Sequence, residues 1–344
     1  MGLLLFTKLN KNGNLQFPDW CPRVYPYTQS VSRVIKGIDP FNYTLMCEPL
    51  SEILNYPANT LTYEEMCYNR AQQLKKLDGN IYIMYSGGID STSAVLSFVL
   101  SWSKEELKRV YIVCTTESIN EFPEFWNNIY QTFKGRILSS YVHVEKYCEQ
   151  GYVVTGEHGD QVFGSDNVNK LVLLFGEQSI HGDWKKYIPM LYDNLFGEAL
   201  SKRMMEVHAP AIAYCPFEIK TAFEWVWWFN FVNKWQHVKY RMLSFKTWNN
   251  PKNNFKKINH FFDTPEWQRW SLDNQDKKIG LTLDTYKLAA KQFIVSNTGF
   301  ISYLKKPKVG SLSSTWRNKA FYDAIDTDFN YISIEQAMEY VNVG

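Results

Sequence analysis

The sequence predicts an α/β protein, a parallel sheet with flanking helices followed by a mainly helical lobe. Three observations carry that expectation. Short β-rich apolar runs alternate with helical patterns between residues 80 and 155, as in strands joined by crossover helices. A glycine-rich segment leaves the first run and opens a helix, at the strand end where ligands of such sheets bind. Beyond about residue 167 the pattern turns helical and dense in Trp, Phe and Tyr.

In chain order, Leu3–Leu9 and Asn14–Phe17 flank Asn12-Gly13, which tolerates the positive φ of a tight hairpin turn. Pro18, Pro22, Pro26 and Pro40 follow, so residues 1–60 read as a small N-terminal extension. Leu61–Leu77 is expected as a helix, with Thr62 as cap and Met66, Ala71, Leu74 and Leu77 at helical spacing. Residues 61–344 read as one domain, with an α/β core over about 78–167 and a helical lobe over about 168–344. The core strands are expected at Ile81–Tyr85, Arg109–Cys114, Ile137–Val144 and Tyr152–Thr155, with helices at Ser93–Trp102 and Phe122–Phe133. Asn249–Asn259, polar and lysine-bearing, reads as a loop.

Composition narrows the function classes. A chain of 344 residues, 45% hydrophobic and 16% aromatic, folds rather than staying disordered. A net charge of +2 gives no bulk attraction to nucleic acid or membrane surfaces, although a local nucleic-acid patch stays open. The six cysteines (Cys21, Cys47, Cys67, Cys114, Cys148, Cys215) form no CxxC pair, which points away from zinc and from a disulfide framework. The opening apolar run is too short for a signal peptide, and Phe6 stands where a myristoylation signal after Gly2 needs Ser or Thr. Neither Ala94–Trp102 nor Ala222–Val232 reaches bilayer length. The expectation is a soluble cytoplasmic protein.

The first chemical motif is Ser86-Gly87-Gly88-Ile89-Asp90-Ser91-Thr92. Two glycines let backbone amides approach an anion, the following helix start is positive, and Ser86, Ser91 and Thr92 add hydroxyls. Asp90 would repel a phosphate unless a divalent cation lay between them, so Mg²⁺ is implied. The chain has no Walker sequence, so γ-phosphate transfer is not indicated. The plainer reading is a Gly-Gly turn with Asp90 and Ser91 capping a helix.

This SGGIDS segment resembles the pyrophosphate loop of the N-type ATP pyrophosphatases, the PP-loop superfamily, which split ATP into AMP and pyrophosphate. The resemblance runs over about residues 78–315 and implies the adenine nucleotide alpha-hydrolase-like, HUP-type fold. It implies a loop, Ser86 to Thr92, that holds the leaving pyrophosphate, and an adenine site near Thr115, Thr116 and Glu117. A second segment, Tyr152-Val153-Val154-Thr155-Gly156-Glu157-His158-Gly159-Asp160-Gln161-Val162-Phe163-Gly164, is similar to that of asparagine and β-lactam synthetases. By that similarity Asp160 joins Asp90 on Mg²⁺, and Glu157 takes a proton from the attacking nitrogen. His158 and Gln161 depart from the family pattern, Gln161 removing one carboxylate. Alone, this segment reads equally as a glycine-rich loop with solvated acids. A third, Leu304-Lys305-Lys306-Pro307-Lys308-Val309-Gly310-Ser311, resembles a basic loop whose lysine stabilises a developing oxyanion. Lys308 is the choice in this register and Lys306 the alternate; a solvated lysine run is the other reading. Ala211–Phe217 is similar to a structural stretch ending in Pro-Phe.

The expected activity is therefore an AMP- and pyrophosphate-forming C–N ligase. It would use ATP and Mg²⁺ to activate a small carboxylic acid or amide and join it to ammonia or an amine. Gly2, where the related synthetases expose a cysteine nucleophile, argues against glutamine hydrolysis in this chain. Free ammonia, a separate glutaminase subunit or a substrate amine are the candidate nitrogen sources. Two alternatives stay open. One is an enzyme modifying a nucleobase or tRNA, with Cys114 carrying sulfur or the aromatics of residues 221–270 stacking bases. The other is a catalytically degenerate ATP-binding subunit.

Overall fold

A computed structural model describes residues 33–34, 49–139, 144–165, 167–235, 238 and 256–305. The expected hairpin at Leu3–Phe17, most of the polar stretch from Asn249, and both Lys306 and Lys308 lie outside the described residues. The chain divides into two units. The sheet unit takes Leu61–Glu157, the described residues from 256 to Asp263, and those from Ala289 onward; the helical unit takes the rest.

Helix α1 (Leu50–Asn55) belongs to the helical unit; the sheet unit opens with α2 (Tyr63–Lys75), followed by β1 (Asn80–Met84). Thr62 caps α2 in a reciprocal box, its hydroxyl accepting from Glu65 N–H at 3.2 Å while the Glu65 carboxylate accepts from Thr62 N–H at 2.7 Å. Then follow α3 (Ile89–Ser101), β2 (Val110–Cys114), α4 (Thr116–Glu121), α5 (Pro123–Phe133) and β3 (Ile137–Ser139). The unit continues with α6 (Val144–Gln150) and β4 (Gly151–Thr155). All pairings are parallel and the order is β3-β2-β1-β4-β5, with β5 at Ile258–His260.

Strands β1, β2 and β4 read as near-continuous apolar runs because helices cover both faces of a parallel sheet. Ile81, Ile83, Ile112, Val113, Val153 and Val154 are fully buried, each contributing about 1.5–3 kcal/mol. That burial is what lets five-residue strands hold together. Of the strand expected over Ile137–Val144, Ile137–Ser139 is β3 and Val144 belongs to α6; residues 140–143 lie outside the described residues.

One further expectation is corrected. Ile258 and Asn259, the end of the stretch read as a loop, belong with His260 to the edge strand β5: Val153 pairs with Ile258 and Thr155 with His260. Tertiary bonds override its polar pattern, since Val153 N–H donates to Lys257 O (2.9 Å) and Phe261 N–H to Thr155 O (2.8 Å). Arg70 then donates to the carbonyls of His260 and Phe261 at 3.1 and 3.0 Å. The helical unit is assembled from separate stretches of chain. It takes up again at His158, and the chain returns to the sheet unit for β5 and again after Leu288.

The helical unit holds α7 (Gly159–Phe163), α8 (Asn167–Phe175), α9 (Trp184–Phe196), α10 (Glu198–His208), α11 (Ala222–Phe229) and α12 (Pro265–Asp273). Its core is tryptophan: Trp225, Trp227, Trp228, Trp235, Trp267 and Trp270 are all buried. Helix α1 belongs here, because Asn59 N–H donates to Asp273 (2.7 Å) and Arg269 to Leu54 O (3.1 Å). Among the described residues no helix is long and apolar enough to cross a membrane.

Candidate functional site

Strand order reverses direction at β1, whose two neighbours are β2 and β4. In open α/β sheets the crevice at such a reversal, outside the carboxyl ends, is the ligand site. Met84 pairs with Thr155, so the first two motifs leave the sheet side by side. Gly156 makes the approach close: a Cβ there would lie 2.8 Å from Ser91 N and 3.0 Å from Asp90 C. Only a glycine lets the second motif press its backbone on the first turn of α3.

The two loop glycines have different reasons. Gly87 has φ +76°, and a Cβ on it would meet Ser118 O at 2.2 Å, so the fold itself demands glycine. Gly88 has φ −75° and ψ 166°, open to any residue, and its Cβ would meet only Ser86 Oγ at 3.4 Å. Packing does not explain Gly88. The first helical bond is Thr92 N–H to Gly88 O (2.9 Å), and no side chain caps α3. The amides of Ile89, Asp90 and Ser91 thus precede the helical ladder at its positive end.

The hydroxyls serve the loop's shape. Ser91 Oγ donates to Gly88 O (3.0 Å) and accepts from Ser86 N–H (3.1 Å), while Thr92 Oγ1 donates to Gly87 O (3.4 Å). Ser91 and Thr92 are buried, whereas Ser86 is exposed and Asp90 half-buried. Thr115 is buried at the end of β2, where it caps α4 by accepting from Ser118 N–H at 3.2 Å. Its side chain is therefore engaged in the cap.

Around the loop stands a buried aromatic wall. Tyr303 stacks on Phe122 at 4.2 Å, and burial first, with the nearby Tyr85 hydroxyl, holds its phenol well above the ordinary value. Thr92 and Asp90 also act on that phenol, so the segment after Thr298 comes back to the start of α3. Lys291, on α13 (Leu288–Thr298), is buried and donates to Leu304 O at 3.2 Å. Lys306 and Lys308 follow directly in sequence.

In the second motif, Glu157 is half-buried and its N–H donates to Thr155 Oγ1 at 3.2 Å. Thr155 Oγ1 is also 2.6 Å from His260 Nδ1. His158 takes φ +70°, and its buried ring lies against Trp235 with Nε2 3.0 Å from Trp235 O. It is a packing residue of the helical unit. Gln161, in the place where the resemblance wants a carboxylate, donates to Asn230 Oδ1 at 3.0 Å.

Asp160 lies at the start of α7 and its Oδ1 accepts from Lys287 Nζ at 2.8 Å. Lys287 is 1% exposed and Asp160 28%, so this pair is largely withdrawn from water. Nothing in the sequence announces Lys287; its pairing is purely tertiary. Asp90 and Asp160 fall in different units. Among the described residues no cluster of three or more His, Cys, Asp or Glu gathers as a metal site.

Among the described residues the tryptophans of the 221–270 segment are buried, and buried rings do not stack a base; Trp248 lies outside the described residues. Cys114 is buried and in no disulfide, poorly placed to carry sulfur. No family model matches the chain, and neither does any curated protein or solved structure.

Proposed function

We propose that the chain is a cytoplasmic ATP-dependent C–N ligase of PP-loop type on a HUP-type sheet, forming AMP and pyrophosphate. Gly88 carries this reading. It is a glycine that neither backbone conformation nor packing requires, at an uncapped helix start and at the reversal of strand order. Close approach by a phosphate gives it a reason.

In this reading the amides at the start of α3 and the Ser86 hydroxyl hold the pyrophosphate portion of ATP. A substrate carboxylate oxygen attacks the α-phosphorus, the bond to pyrophosphate breaks, and an acyl-adenylate remains. Ammonia or an amine then attacks the acyl carbon, the bond to AMP breaks, and Glu157 takes the proton from nitrogen. Lys308, or Lys306, would steady the oxyanion of that step. Magnesium, when bound, neutralises phosphate charge, and such ions take one or two carboxylates with phosphate oxygens. Asp90, a half-buried hard-oxygen donor on the loop, fits that need. Asp160 fits it less well, since Lys287 already occupies one oxygen.

The test is exchange of labelled pyrophosphate into ATP across a panel of small acids and amides. Exchange that depends on one compound is expected; turnover to ADP and phosphate instead would contradict the mechanism.

A further inference from the structure

The helical unit contains a cavity of about 160 Å³ that the reading above does not use. Helices α8, α9 and α11 and the turn Asn230–Lys234 wall it. One side is apolar, with the buried Leu191, Val226 and Phe229. The other carries Ser165, Asn167, Asn230 and two lysines, Lys170 and Lys234.

These polar groups are not equally engaged. Asn230 is tied into the protein: its Nδ2 donates to Asp160 O (3.0 Å) and to Gly164 O, and its Oδ1 accepts from Gln161 (3.0 Å). Those bonds hold the first residue of a π-helical turn, a widened geometry that recurs at functional sites. Ser165 is buried. Its hydroxyl accepts from Asn167 N–H at 3.2 Å, and among the described residues its own proton goes to no acceptor. The carboxamide of the half-buried Asn167 makes no hydrogen bond among the described residues, as donor or as acceptor. Folded proteins pair nearly all buried polar groups, and here the unused ones face a cavity large enough for the partner.

Size and hydrogen bonding set the ligand class. A cavity of about 150 Å³ accommodates benzene, so this one takes a ring-sized apolar body with one small polar head. That head has to accept from Ser165 and both donate to and accept from Asn167. A primary amide does all three, since two carboxamides pair through two parallel hydrogen bonds. A carboxylate has no proton to donate. The pairing uses neither lysine, and Lys170 has interactions of its own. We infer that the cavity binds a small aromatic or aliphatic primary amide, its body against Val226 and Phe229 and its head on Ser165 and Asn167. The inference stands apart from the ligase reading, because binding here requires no nucleotide.

Benzamide, benzoate and toluene are the probes, titrated into the full chain by calorimetry without ATP. Benzamide should bind about tenfold or more tightly than toluene, which has the ring and none of the hydrogen bonds. It should also bind more tightly than benzoate, which sheds the water around its charge and offers Asn167 Oδ1 no donor. Ser165→Ala and Asn167→Ala should each weaken benzamide about fivefold or more, with no matching loss for toluene and unchanged far-UV circular dichroism. Toluene or benzoate bound as tightly as benzamide would overturn the inference. So would an absence of benzamide binding, or undiminished benzamide binding by both folded variants. The comparison of probes needs no variant to fold.

Discussion

Gly87 and Gly88 look alike in sequence and do different things. Gly87→Ala forces a side chain into the left-handed region and onto Ser118 O, and should lower stability by about 2 kcal/mol or more. Gly88→Ala meets no such obstacle, so its thermal midpoint should stay close to the unaltered protein's while ATP affinity falls about tenfold or more. Differential scanning fluorimetry and nucleotide titration read both; unchanged ATP affinity in Gly88→Ala removes the phosphate reason for that glycine. Asp160 poses a second residue-scale question. Removing its charge takes an ion-pair partner from the buried Lys287 ammonium, which costs about 2–4 kcal/mol after allowing for the partial exposure of Asp160. Asp160→Asn should therefore unfold at lower denaturant, and adding Lys287→Met should restore much of the loss. An Asp160→Asn protein of full stability that has lost pyrophosphate exchange would instead assign the carboxylate to magnesium. The SGGIDS run was legible as a motif, because glycine, hydroxyl and carboxylate chemistry is written locally, whereas Glu157 was singled out only by the resemblance. Lys287, Tyr303 and Asn230 were not legible, because each acts on a partner far away in the chain.

At the scale of elements, helices α9, α10 and α11 meet at His208. Its ring lies 4.5 Å from Phe229, and its Nδ1 is 3.2 Å from the Tyr192 hydroxyl. Burial pushes the His208 imidazole down to about 3, against 6.5 in the open chain. The unfolded state thus binds the extra proton first as pH falls. The stabilising effect of keeping His208 neutral is complete above about 6.5 and is lost progressively as pH drops towards about 3, by roughly 1.4 kcal/mol per unit. Denaturant unfolding between those limits should show that slope, and His208→Gln should flatten it. An identical slope in the variant would place the acid sensitivity elsewhere. The same scale explains which elements could be read ahead. Long apolar runs gave β1, β2 and β4, and Thr62 as a cap before apolar residues at helical spacing gave the start of α2. Strand β5 has three residues and a polar pattern, and its existence rests on bonds to β4 and Arg70 that no local signal encodes.

For the molecule as a whole, the sequence pattern foretold an α/β core followed by helices, and the sheet is parallel with helices on its faces. It did not foretell that the chain would re-enter the sheet unit twice after His158, since such returns depend on contacts between distant segments. Both chemical motifs begin at the carboxyl ends of adjacent strands, which is why a linear reading could assign them to one function. The central claim is that a triphosphate seats its outer phosphates on the amides following Gly87 and Gly88. The most direct measurement is a crystal structure with magnesium and α,β-methylene-ATP, whose scissile bond is blocked. Phosphate oxygens within hydrogen-bond distance of the amides of Gly88 to Asp90 are the predicted result; nucleotide bound elsewhere, with this loop bare, would contradict it.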